Sequence, residues 1–144
     1  MTSPNRSIPP YTVLPVIVYD NVGRAVEWLT RTFGFVEKVR VDDHRAQLDV
    51  GGGAVIVVDA THGRHPPESN GGVTHSTMVR VGDVGAHYRE ALAGGAQITA
   101  EPTDHSYGER QYSARDLEGH LWTFTESIAD VAPEEWGGIS VSPW

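Results

Sequence analysis

The sequence predicts an α+β fold built from two βαβββ repeats. Three observations carry this. Two helical stretches each follow a β-rich run and open on a short polar capping residue. Each helix is followed by further β-rich runs separated by Gly or Asp turns. The two halves also overlay: Asn21-Val22-Gly23 falls on Asp83-Val84-Gly85, and the strand after Gly53 falls on the strand after Gly119. Two copies of one supersecondary unit is the simplest account of that order.

The elements follow in turn. Residues 1–10 are rich in Ser, Asn and Pro and read as a flexible arm. Thr12 to Tyr19 is β-branched and reads as a strand, with Pro15 marking an edge or a bulge because it lacks an N–H. Asp20 or Asn21 caps a helix whose apolar stripe is Val22, Ala25, Val26, Leu29 and Phe33, and Gly34 ends it. Val36–Val41 and Arg45–Val50 are strands joined at Asp42 and Asp43. The turn Gly51–Gly53 leads into Ala54–Asp59, the most hydrophobic strand. This completes a first module over residues 11–60. Residues 61–72 are polar, with two Pro, and read as a linker.

The second module covers residues 73–126. Val73–Val81 is a strand, Asp83 caps the helix Val84–Ala93, and Gly94-Gly95 end it. Gln97–Ala100 is a short strand, and Glu101–Glu109 a loop. The module closes with a hairpin: RQYSARD, the turn DLEG, then HLWTFTE. In that last strand Leu121, Thr123 and Thr125 alternate with Trp122 and Phe124, the period of a half-buried strand. Residues 127–144 form a polar tail in which Trp136 and Trp144 are candidate anchors.

Composition narrows the function. The chain has 144 residues, 39% of them hydrophobic, enough for a packed core. A net charge of −8 with no basic block argues against nucleic acid or an anionic membrane as partner. With no Cys there is no disulfide, thiol nucleophile or thiolate metal site. No signal-peptide core or membrane-spanning run is present, so a cytoplasmic location is expected. There is no nucleophile elbow, phosphate loop or dinucleotide fingerprint.

The βαβββ–βαβββ order, the stretch from Arg115 to Trp122 (RDLEGHLW) and the openings of both helices resemble the vicinal oxygen chelate superfamily. That group contains glyoxalase I, extradiol dioxygenases and bleomycin-resistance proteins. The resemblance spans about residues 11–126. It implies a curled mixed sheet with helices on the convex face, a ligand in the concave face, and a homodimer in which two chains share a cavity. Its enzymes hold a divalent metal on four inward positions. Here those positions are Leu14, Val57, Ser76 and Thr123, none of them an imidazole or carboxylate donor. Neither a metal cofactor nor catalytic residues are therefore expected.

Strand alternation then gives a ligand-binding set: Leu14, Val16, Gln47, Val57 and Asp59 in the first half, and Ser76, Met78, Gln111, Ser113, Arg115 and Thr123 in the second. An apolar floor with a few amides, hydroxyls and charges suits a mid-sized, partly aromatic molecule. The expected function is metal-independent, non-catalytic sequestration of an aromatic or antibiotic-like compound. Two alternatives stay open. One is a metal-dependent lyase or dioxygenase using His75 with Asp59 or Glu126. The other is a metal-free enzyme in which Gln47, Ser113 or Arg115 orients a substrate.

Overall fold

The computed structural model describes residues 4–142 and 144. Residues 1–3 of the arm and Pro143 of the tail lie outside the described residues. The first module runs β1 (Val16–Tyr19), α1 (Val22–Phe33), β2 (Val36–Val41), β3 (Arg45–Asp49) and β4 (Ala54–Asp59). A short helix, α2 (Pro67–Asn70), stands in the linker. The second module runs β5 (Thr77–Arg80), α3 (Val84–Gly94), β6 (Gln97–Asp104), β7 (Glu109–Arg115) and β8 (Leu121–Ser127). The strands form two four-stranded mixed sheets, ordered β1-β4-β3-β2 and β5-β8-β7-β6, which do not close into a barrel. In each sheet the first strand runs parallel to the last, and the other pairings are antiparallel.

Three boundaries differ from expectation. The first strand begins at Val16, not Thr12, because Pro15 has no N–H to donate; its carbonyl accepts from Ile56 N–H instead. The fifth strand likewise begins at Thr77, not Val73. The sixth is longer than expected and runs through Pro102 to Asp104, so part of the expected loop is strand. Pro102 is tolerated because β6 is an edge strand whose register shifts at two places.

Both helices open on side-chain caps. Asn21 Oδ1 accepts from Arg24 N–H and Asp83 Oδ1 from Ala86 N–H, both at 3.0 Å. The helices then pack on each other as well as on their sheets, joining the modules through one core. Trp122 and Phe124 lie at its centre, edge-on or tilted to Phe33 at 5.8 and 4.8 Å. His87, half-buried, packs against the same core. Its Nε2–H donates to the Phe33 carbonyl at 3.0 Å, its Nδ1 meets the Tyr112 hydroxyl, and its ring lies 4.2 Å from Phe124.

Burial lowers the His87 pKa below its ordinary value, against the Phe33 carbonyl and Glu90. The unfolded chain therefore binds a proton that the folded chain resists. His87 contributes stability that is complete above about pH 6.5 and lost as pH falls below it toward the lowered value. Urea unfolding between pH 5 and 8 is expected to show this slope, and His87→Gln to flatten it. The exposed His44, raised by Asp59, titrates in the opposite sense and is common to both chains, so the difference between them isolates His87.

The RDLEGH stretch closes the hairpin and also latches the modules together. Asp116 Oδ2 accepts from Tyr19 O–H at 2.5 Å and Trp122 Nε1–H at 3.0 Å. Its Oδ1 accepts from the N–H groups of Glu118 and His120. Glu118 accepts from the N–H groups of Asp20 and Asn21 ahead of α1, and His120 Nε2–H donates to the Val18 carbonyl. His120 thus bonds to β1 of the other module rather than only to its own turn. Helix α2 closes over this turn, with Glu68 N–H donating to the Glu118 carbonyl. Gly119, at φ 92°, leaves room for the Glu68 side chain, where a Cβ would stand 2.9 Å from Cγ.

Candidate functional site

Each sheet has one face against the helices and one open face, and register decides which residues share the open face. In the second sheet Met78 pairs with Thr123, Ser113 with Thr123, Gln111 with Thr125, and Arg115 with Leu121. The intervening Trp122 and Phe124 go to the core. The hairpin residues Gln111, Ser113, Arg115 and Thr123 therefore share the open face with Met78, as alternation indicated.

Hydrogen bonds order this face. Ser113 and Thr123 join at 2.8 Å. Tyr107 O–H donates to Gln111 Oε1 at 3.0 Å, Gln111 Nε2–H to Thr125 Oγ1 at 3.1 Å, and Thr125 O–H to Glu109 Oε1 at 2.7 Å. Arg80 pairs with Glu109 at 3.5 Å. Burial pushes the Glu109 carboxyl up, but hydrogen bonds from Ser127 and Thr125 and the Arg80 charge outweigh it, leaving it below its ordinary value. Arg115 is half-buried and spends one bond on the Gly119 carbonyl at 3.3 Å. Its remaining donors are available to a ligand oxygen. Tyr107 and Glu109 were missed by sequence reasoning because the loop before β7 has no periodicity to place them. Trp136 packs on Tyr107 at 5.5 Å, which brings the tail to this face, whereas Trp144 is fully exposed.

The first sheet requires a correction. Val16 and Gln47 both pair with Ile56, and Val18 and Arg45 both pair with Val58. Val57 pairs with Ile17 and Ala46 and lies wholly buried in the core against the helices. The open face of β4 is thus Ala54, Ile56 and Val58. Asp59 has the same parity as Val57, pairs with Tyr19, and is held by His44 Nδ1 and Thr61 O–H. Alternation misplaced both because AVIVVD is apolar on both faces, and a strand with no polar side carries no phase. Leu14 and Ser76 precede β1 and β5 and lie on no strand, since both strands are shorter than expected.

The corrected positions offer no better donors for a divalent ion. Val16, Ile56, Met78 and Thr123 supply neither imidazole nor carboxylate. Among the described residues no three His, Asp or Glu side chains gather as a metal-binding group. Neither Asp59 nor Glu126 shares the surroundings of His75. His75 lines a small cavity of about 140 Å³ beside His65 and His120, Asp59 is committed to His44, and Glu126 caps α3 at the Val84 N–H. The residues do not fit the metal that the fold's enzymes carry.

Two larger cavities remain. One, about 480 Å³, lies between the starts of β4 and β5, with Val13, Pro15, Met78 and Arg80 on its walls. The other, about 540 Å³, lies on the open face of the first sheet, where residues of the N-terminal arm cross Gln47. Gln47 Nε2–H donates to the Ser7 carbonyl at 2.9 Å.

Comparison with known proteins agrees with this architecture. The family model described as the Glyoxalase/Bleomycin resistance protein/Dioxygenase superfamily matches residues 10–124. TioX from Micromonospora sp. ML1 superposes with a TM-score of 0.70 at 36% identity, covering 82% of this chain and 99% of that one. A glyoxalase/bleomycin resistance protein/dioxygenase family enzyme from Burkholderia phytofirmans PsJN shares the fold, with a TM-score of 0.67 at 17% identity, covering 80% and 97% of the two chains. An uncharacterized protein from Mycobacterium bovis is 28% identical over 131 residues, covering 84% of this chain and 86% of its own.

Proposed function

The chain belongs to the Glyoxalase/Bleomycin resistance protein/Dioxygenase superfamily, and from that premise we propose that it binds and sequesters a small aromatic or antibiotic-like compound, without metal and without catalysis. The observation that carries this reading is the character of the open faces. They present amides, hydroxyls and guanidinium groups beside Val16 and Met78, and the four positions where a metal enzyme of the fold needs imidazoles and carboxylates carry neither. Packing would hold the ligand, and Arg115 and Gln111 would orient it. The protein would act as a homodimer in the cytoplasm, with open faces of two chains turned toward each other. Met78, 60% exposed, supports a partner surface there, because a large apolar side chain gains from being covered. No described helix is long and apolar enough to cross a membrane.

Calorimetric titration with a panel of aromatic natural products, before and after chelator treatment, tests the reading. Saturable binding indifferent to chelator is expected. Arg115→Ala should weaken an acidic or carbonyl-bearing ligand roughly tenfold, the loss of about one charge-assisted hydrogen bond. Stoichiometric metal after purification, with binding or turnover lost on chelation, would overturn it.

A further inference from the structure

The cavity of about 540 Å³ is walled within one chain by the arm on one side and the first sheet on the other. The arm is seated, not merely adjacent. Gln47 is a polar side chain only 5% exposed, and its amide holds the Ser7 carbonyl. Further along, Tyr11 O–H reaches the Gly51 carbonyl at 3.5 Å. The walls between are largely apolar, with Ile8, Pro9 and Pro10 facing Val39 and Ala54. Two cations, Arg6 and Lys38, also line the cavity; both are exposed, and neither enters an ion pair among the described residues. Asp49 is the one carboxylate of the lining, and its Oδ1 already takes the Gly51 N–H. The lining is thus net positive in a chain of net charge −8.

We propose that this cleft is a binding site for a planar aromatic anion, with the arm as its second wall. The rings lie between the arm's Ile-Pro-Pro segment and the sheet, and the acidic group meets Arg6 and Lys38. The volume is in the range of sites for molecules of two or three rings. This rests on the ligand-binding reading above and adds the ligand class and the arm's role.

The full chain would be titrated with anilinonaphthalenesulfonate and with N-phenylnaphthylamine, which has the same rings without the sulfonate. The sulfonate is expected to bind saturably and more tightly, by a margin that narrows as salt screens the charges. Arg6→Gln and Lys38→Gln should each weaken it about threefold, and together about tenfold, leaving the neutral probe unchanged. Removing residues 1–11 should weaken both probes by more than about tenfold. Equal affinity for the two probes, unaffected by the Gln variants, would overturn the proposal. Full affinity in the truncated chain would do the same. If neither probe binds but the natural-product panel does, this inference falls alone; if the panel also fails, the ligand-binding reading falls with it.

Discussion

Asp116→Ala should destabilise the fold by about 2–5 kcal/mol, because buried donors lose their acceptor at about 1–3 kcal/mol each. Asp116 is 6% exposed and accepts four hydrogen bonds. Truncation leaves the Tyr19 hydroxyl and the Trp122 indole N–H buried without an acceptor, and frees the turn that carries Glu118 and His120. Tyr19 cannot compensate by ionising. Burial, the largest of the causes that hold its phenol well above the ordinary value, persists without Asp116, so it remains a donor. Asp116→Asn should recover only part of the loss. Its oxygen can serve the two backbone N–H groups, but its NH₂ then faces Trp122, which is a donor only. Urea unfolding measures both variants. A loss under about 1 kcal/mol for the Ala variant would show that Tyr19 and Trp122 find other partners.

Gly94→Ala should cost about 1–3 kcal/mol through overpacking, although Ala is ordinarily the better helix residue. A Cβ at Gly94 would stand 2.7 Å from Thr32 Oγ1 and 2.9 Å from Thr32 Cβ. Thr32 is 1% exposed and has nowhere to move. The clash lies where α1 meets α3, so relief requires the modules to separate. Thermal unfolding of Gly94→Ala, Thr32→Ala and the double variant forms a cycle. The double variant is expected to lose less than the sum, because removing Oγ1 and Cγ2 takes away two of the three close contacts and leaves the one to Thr32 Cβ. Strict additivity would mean that the helices do not approach this closely.

These sites differ in how far the sequence exposes them. The hairpin face was legible: HLWTFTE alternates cleanly, and Trp122 and Phe124 can only be the buried side. Its cross-strand partners Gln111, Ser113 and Arg115 follow once the DLEG turn fixes the register. AVIVVD was not legible in phase, and Val57 and Asp59 were assigned to the wrong face for that reason. The arm illustrates a different limit. Pro, Ser and Asn lead to the expectation that residues 1–10 form no regular element, but not to where an irregular segment lies. Its seat on Gln47 is a contact across some forty residues, which no local pattern records.

Local pattern was enough for the order of the strands and the two long helices, the repeat, both helix caps and the face of the final hairpin. All of these follow from local periodicity and turn chemistry. Long-range contacts, by contrast, make RDLEGH a latch between the modules, Gly94 the point where the helices meet, and the arm the wall of a cavity. Each depends on which distant residue comes near, and that is set by how two amphipathic units bury their apolar faces together, not by the composition of any one stretch.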